Sequence, residues 1–307
     1  MKTGNETKML TAPIVIPPLI APSSLKQVTD AELSNFAQLI YQRTGIHVSP
    51  HKKMLLSNRL RRRLRDTGIA DFSGYYEHLK RLKDTDPEWD AFLQEITTHE
   101  TYLFRDESQW KWFANDFVAR HAAEAKKGKE KRSLRIWSAA CSTGDEPFTI
   151  ACCVADKLVN FPDWQVSIVG TDIGVGALAQ AESGVFGERA MRLVPDDMKK
   201  RFFTKAPNAN VWQARPVLTS MIRFKQHNLI TPLKEAQFDL VFLKNVLIYF
   251  DAASKRTVMN HVRAAIKPGG LLVAGAAEGI TEIVKDFKRI QPWLYMKGES
   301  SGSHQGS

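Results

Sequence analysis

Leu33, Phe36, Ala37, Ile40 and Tyr41 recur at three- and four-residue intervals behind Thr29-Asp-Ala-Glu32, whose threonine and glutamate have capping-box spacing. Gly45 supplies a stop, so the pattern predicts a helix. Leu56, Leu60 and Leu64 lie four apart within Lys52–Arg65 and make the apolar stripe of a second helix, with Arg59, Arg62 and Arg63 off that stripe. Asp86-Pro87 places a cap before a proline at a first helical position, and Trp89, Phe92, Leu93 and Ile96 give the buried face that follows. Trp110, Phe113 and Phe117 mark another helix after Asp106. Residues 28–98 therefore read as a small all-helical domain, and 99–132 as a connecting segment and helix.

The rhythm changes after residue 132. Strands at Leu134–Ala139, Val166–Gly170 and Phe238–Leu243 alternate with helices at Pro147–Val159, Val175–Ser183 and Ala252–Ile266. A Pro268-Gly-Gly270 turn, a strand at Leu271–Ala274 and a last strand near Trp293–Met296 complete the series. Such alternation predicts an α/β domain over 133–297, with a mainly parallel, Rossmann-like sheet covered on both faces. Residues 186–224 break the pattern, with a helix at Pro195–Phe203 and strand-like pieces around Val211 and Ile222. They read as an inserted, small β-containing subdomain. Residues 1–27 are polar or proline-interrupted and predict a flexible arm, and the Gly/Ser-rich 298–307 a disordered tail.

Composition adds constraints. No run approaches 18 apolar residues, so no membrane insertion is expected. Three cysteines without a C-x-x-C and eight histidines without metal-binding spacing argue for a reducing, cytoplasmic setting and no metal. Of the net charge of +10, His51–Asp66 carries seven Lys or Arg against one acid. A patch of that kind attracts an acidic partner.

The most informative stretch is Ile136–Ile150, IWSAACSTGDEPFTI. An apolar strand enters a small-residue turn, and an acidic pair precedes a proline that opens a helix. Ligands of open α/β sheets sit at such strand ends. With the single glycine Gly144 the turn is not a G-x-G-x-x-G fingerprint, and it suits a cofactor bearing hydroxyls and an amine. Asp172 ends the next strand, where a carboxylate either accepts from ribose hydroxyls or caps the following helix. Asn245 and Tyr249 follow the strand Phe238–Leu243, and Arg105 sits at the domain junction, able to hold a carboxylate or to form a surface ion pair.

Asn58–Leu64, Thr97–Arg105, Trp137–Pro147, Thr171–Ile173 and Asn245–Phe250 together resemble the chemotaxis receptor methyltransferases, the CheR family, across Leu25–Met296. The resemblance implies a class I methyltransferase sheet and methyl transfer from S-adenosylmethionine to glutamate carboxylates of chemoreceptors, leaving S-adenosylhomocysteine. It implies cofactor contacts from His99, Thr101, Arg105, Glu146, Asp172, Asn228, Leu229, Asn245 and Val246, with Arg105 and Tyr249 bordering the methyl. It also implies a cytoplasmic monomer that docks Arg59, Arg62 and Arg63 along glutamate-rich receptor helices. The family usually has asparagine at His99, arginine at Lys244 and glutamate at Asp145. Thr204–Arg215 lacks the glycine-rich turn of relatives that bind a receptor's tethering pentapeptide. Two other readings suit parts of the pattern. A nucleic-acid methyltransferase would share the basic patch, but Asn245–Phe250 lacks the prolines of a base-stacking turn. The other is a cofactor-sensing adaptor without turnover.

Overall fold

The computed structural model describes residues 27–128, 131–158, 163–207, 209–275 and 277–299. Nearly all of the expected arm and most of the expected tail lie outside these residues.

Four helices make the N-terminal domain: α1 (Asp30–Thr44), α2 (Lys53–Thr67), α3 (Phe72–Arg81) and α4 (Pro87–Ile96). The capping box forms at α1, with Glu32 N donating to Thr29 Oγ1 at 3.2 Å and Thr29 N to Glu32 Oε2 at 2.8 Å. Leu56, Leu60 and Leu64 face inward onto Phe36, Ile40, Tyr75 and Phe92, as the four-residue stripe requires. A connector then reaches α5 (Glu107–Trp112), which runs through a π-helical turn at Phe113–Val118 into α6 (Ala119–Lys126). Trp110 stacks on Phe242 of the sheet at 5.2 Å and docks this rod against the second domain.

The second domain contains β1 (Ser133–Ala139), α7 (Asp145–Leu158), β2 (Gln165–Asp172) and α8 (Val175–Ser183). A small antiparallel sheet follows, built from β3 (Val185–Gly187), β4 (Phe203–Lys205) and β5 (Val211–Ala214), with α9 (Glu188–Met191) and α10 (Asp196–Phe202) between β3 and β4. After α11 (Pro216–Thr219) come β6 (Ile222–Gln226), β7 (Phe238–Leu243), α12 (Ala252–Ala265), β8 (Ile266–Ala274), β9 (Phe287–Gln291) and β10 (Leu294–Lys297). The seven-stranded sheet has the order β6-β2-β1-β7-β8-β10-β9. Only β10 runs antiparallel to its neighbours, β8 and β9. Ile136, Ile168, Leu240 and Phe242 pack on one face, while Trp137, Val169, Val241 and Leu243 pack on the other. Both sets are apolar because both faces are covered.

Four features depart from the sequence expectations. Ile222–Gln226 does not belong to the insertion: it pairs in parallel with β2 from Ile168↔Ile222 onward and forms the sheet edge. Pro268-Gly-Gly270 lies within β8, as an irregularity where register with β7 shifts between Phe238 and Leu240. α3 and β9 were not expected.

The topology places the site. Chain order reverses at β1, with β2 on one side and β7 on the other, and a crevice opens beyond their carboxyl ends. The helical domain closes over it. Asn228 Nδ2 donates to Arg43 O at 2.7 Å, Tyr41 Oη to Asp251 Oδ2 at 3.0 Å, and His47 N to Tyr249 O at 2.8 Å. Ile46 and Phe250 form an isolated antiparallel bridge beside the last of these bonds.

Candidate active site

The loop after β1 owes its shape to its small residues. Ala140, Ser142 and Gly144 all have positive φ, and a Cβ on Gly144 would lie 2.8 Å from the Cβ of Ala181. Only glycine permits that approach at φ +89°. Gly144 O accepts from Phe148 N at 3.0 Å and so starts α7, whose first turn carries Asp145 and Glu146. Asp172 holds the loop from the neighbouring strand: Oδ2 accepts from Ser142 N at 2.8 Å and Oδ1 from Gly174 N at 2.9 Å. The helix-entry role of Asp172 is thus seen directly, and each oxygen keeps a second acceptor lone pair on the side of the cleft.

Two adjoining recesses fill the crevice. Asp172, Asn228, Leu229, Val246 and His99 line the larger, and Tyr249 and Arg59 stand in its wall. Thr101, Arg105, Glu146 and Lys244 line the smaller. Thr98, Ala140, Ser142 and Asn245 border both, so one continuous cleft gathers every residue proposed to touch the cofactor. Asn245 takes φ +57°, which an asparagine tolerates better than most residues, and turns the chain across the cleft floor.

Hydrogen bonding fixes the histidine. Thr97 Oγ1 gives its proton to Leu93 O at 2.8 Å and so accepts from His99 Nε2 at 2.7 Å. Nδ1 is left to accept from Ser142 Oγ at 3.3 Å. Burial lowers the His99 pKa, opposed by the nearby Asp172 charge, which agrees with a neutral ring. Glu146 accepts from Ser138 Oγ at 2.7 Å, and its other oxygen lies 3.6 Å from Lys244 Nζ. Burial raises the Glu146 pKa and Lys244 opposes the rise. Asp145 points away, to Thr143 Oγ1 at 2.7 Å, and lines neither recess.

The arginines of α2 do not share one outward face. Arg59 reaches into the cleft wall, bonding Ile96 O and, at 2.8 Å, Thr98 Oγ1. Arg63 makes a two-pronged ion pair with Glu88 at 3.0 and 2.6 Å, and Glu88 also accepts from Tyr75 Oη at 2.5 Å. Only Arg62 of the three is open, at 61% side-chain exposure. The stripe of leucines sets which face is buried, but not where a long side chain beside it folds. Glu278 was not anticipated either. Fully buried on the loop after β8, it accepts from Val246 N at 3.3 Å and supports the Asn245 turn from below. A glutamate in a Gly/Ala loop gives no periodic signal of that role.

The donor set fits S-adenosylmethionine: carboxylates for ribose hydroxyls and an ammonium, amides for a purine edge, Leu229 and Val246 for its faces, and the Arg105 guanidinium for a carboxylate. Among the described residues no cluster of three or more His, Cys, Asp or Glu could hold a metal ion.

Sheet order, switch-point cleft and this donor set define a Rossmann-like methyltransferase that uses S-adenosylmethionine. Comparison with known sequences narrows the class. Residues 99–295 match the family model described as CheR methyltransferase, SAM binding domain, and residues 31–97 match CheR methyltransferase, all-alpha domain. The chain is 33% identical over 265 residues to the chemotaxis protein methyltransferase of Escherichia coli K12, covering 85% of this chain and 88% of that one. It is 34% identical over 254 residues to chemotaxis protein methyltransferase 2 of Pseudomonas aeruginosa, covering 81% and 87%. The chain belongs to the CheR methyltransferase family, and its activity is S-adenosylmethionine-dependent methylation of chemoreceptors.

Proposed function

We propose that the methylated groups are glutamate side chains on the cytoplasmic helical region of the receptors, converted to methyl esters at the junction of the two recesses. The observation that carries this reading is the continuity of the cleft. The Asp172 recess suited to the cofactor has Tyr249 in its wall and adjoins the recess of Glu146 and Arg105, with Lys52 Nζ 5.4 Å from the Tyr249 ring at the rim.

S-adenosylmethionine supplies an electrophilic methyl group on a sulfonium. A glutamate with a pKa of about 4.3 is already ionised at neutral pH, so no general base is needed. The chain's part is alignment and exclusion of water. A dry cleft disfavours separated opposite charges more than the transition state in which they cancel, and orientation supplies much of the remaining rate. Arg105 suits the positioning role because its guanidinium donates to Glu100 O at 3.1 Å and makes no ion pair among the described residues. Tyr249 is held by its own main chain, through His47.

Docking falls to Lys52, just before α2, and to Arg62 and Arg65 on it, which are exposed and complement a glutamate-rich helix. Arg59 orders the cleft and Arg63 the helical core. Free Cys141, Cys152 and Cys153 suit the reducing cytoplasm, and among the described residues no helix is long and apolar enough to cross a membrane. The working form in this reading is a monomer, which light scattering at assay concentration tests.

Calorimetric titration with S-adenosylmethionine and S-adenosylhomocysteine, followed by labelled methyl transfer to receptor fragments, tests the proposal. The expected result is base-labile label on receptor glutamates and none on RNA or DNA. Label on nucleic acid, or cofactor binding without receptor turnover, would replace this reading with one of its rivals.

A further inference from the structure

Lys244 is the least expected feature of the cleft. It directly follows β7, the central strand, and its side chain is 3% exposed. An ammonium so buried costs several kcal/mol unless partners compensate it. Its Nζ lies 3.0 Å from Asp106 Oδ2 and 3.6 Å from Glu146 Oε2, donates to Arg105 O at 3.4 Å, and stands 5.0 Å from the Trp110 ring. Three of these four partners belong to the connector and its helix, and the fourth to the first turn of α7.

The connector needs such an anchor. Phe104 and Asp106, on either side of Arg105, take φ +59° and +69°. Non-glycine residues in this region cost about 1–2 kcal/mol each and persist only where surrounding contacts hold them. Phe104 N donates to Thr149 Oγ1 at 3.0 Å, and Trp110 Nε1 and Lys244 Nζ both donate to Arg105 O. The direction in which Arg105 enters the cleft is thus fixed through its carbonyl.

We propose that Lys244 is a positioning residue that latches the 99–106 connector to Glu146 and so shapes the recess for the cofactor's amino-acid end. The inference rests on the reading of Glu146 as a cofactor contact. Lys244 is shared between two carboxylates, so Glu146 keeps acceptor capacity for the cofactor's ammonium while Arg105 in the same recess suits its carboxylate. Glu146 faces Lys244 from the end of β7, Asp106 from the connector, Ser138 from β1 and Cys141 from the loop; Arg105 lines the same recess. Without Lys244 the charge left acting on it is that of Asp106, an acid.

The test is a double-mutant cycle read by calorimetric binding of S-adenosylhomocysteine to the full chain, with thermal melts of the ligand-free protein alongside. Glu146→Gln is expected to weaken binding at least tenfold at pH 7, and Lys244→Met by a similar factor. Their double variant should bind no more weakly than the worse single, because both break one contact. Lys244→Arg is expected to restore most of the affinity. In Lys244→Met, the rise of affinity with pH should move to higher pH than in the unsubstituted protein, because Glu146 has lost the ammonium that favours its ionised form, a shift that simple loosening of the fold would not give. Wild-type affinity in Lys244→Met beside a weakened Glu146→Gln, or losses that multiply, would overturn the latch and leave the Glu146 reading intact. Wild-type affinity in Glu146→Gln would remove that reading, and the latch with it. Should Lys244→Met fail to fold, Asp106→Asn breaks the connector side of the same contact, and wild-type affinity there overturns the proposal.

Discussion

Single side chains in this cleft combine a structural bond with a free acceptor. Asp172 ties two backbone amides and still faces the larger recess. Asp172→Ala should therefore lower S-adenosylhomocysteine affinity more than tenfold and also cost about 1–3 kcal/mol of stability, since the amides of Ser142 and Gly174 lose their acceptor. Calorimetry and denaturant titration read the two effects separately, and intact affinity would reject the ribose assignment. Arg105→Ala is expected to show the opposite emphasis, with turnover falling at least a hundredfold and cofactor affinity by a clearly smaller factor. Unchanged turnover would take Arg105 out of the reaction. His227 gives a pH effect. Burial, helped by Lys225 and His261, lowers its pKa from 6.5 to about 4. The unfolded chain takes up this proton first, so stability present above pH 6.5 is lost as the pH falls toward 4. His227→Asn should flatten that limb in unfolding titrations, and an unaltered limb would assign it to other groups.

Elements are read from sequence as far as their own residues determine them. The capping box, the leucine stripe of α2 and the apolar strand β7 each encode both boundary and burial, and each forms where expected. α3 was legible in principle, since Phe72, Tyr75, Tyr76 and Leu79 have helical spacing behind the cap Asp71, and only Gly74 and the short length weaken the pattern. β9 reads Phe-Lys-Arg-Ile-Gln and becomes a strand only by pairing with β10. Within the site, composition indicated the loop and the carboxylates. The inward turn of Arg59 and the partners of Lys244 depend on contacts across long chain separations, which no local pattern carries. Two substitutions separate element from surface. Gly144→Ala places a Cβ against Ala181 at positive φ and should cost roughly 3 kcal/mol together with cofactor binding. Arg63→Ala leaves Glu88 and Tyr75 without their cation and is expected to destabilise the protein by roughly 2–3 kcal/mol. Arg62→Gln, which breaks only the exposed pair with Glu95 at 3.1 Å, should shift the melting temperature little and weaken receptor methylation; unchanged methylation would contradict the docking role.

At the scale of the molecule, the helical domain does not merely deliver a substrate to a finished enzyme. Ile46, His47, Leu55 and Arg59 form part of the cleft wall. Salt should depress receptor methylation steeply while hardly altering S-adenosylhomocysteine binding, because exposed Lys52, Arg62 and Arg65 are screened and the buried Glu146–Lys244 pair is not. Equal sensitivity of both measurements would contradict that division. The bond from His47 N to Tyr249 O crosses the seam between the domains. A main-chain proton held there exchanges with solvent only when the seam parts. The His47 amide is thus a built-in clock for opening of the enzyme. Its exchange rate with deuterated solvent, followed without mutation, gives how often the two halves separate, and whether a receptor fragment or the cofactor product keeps them shut.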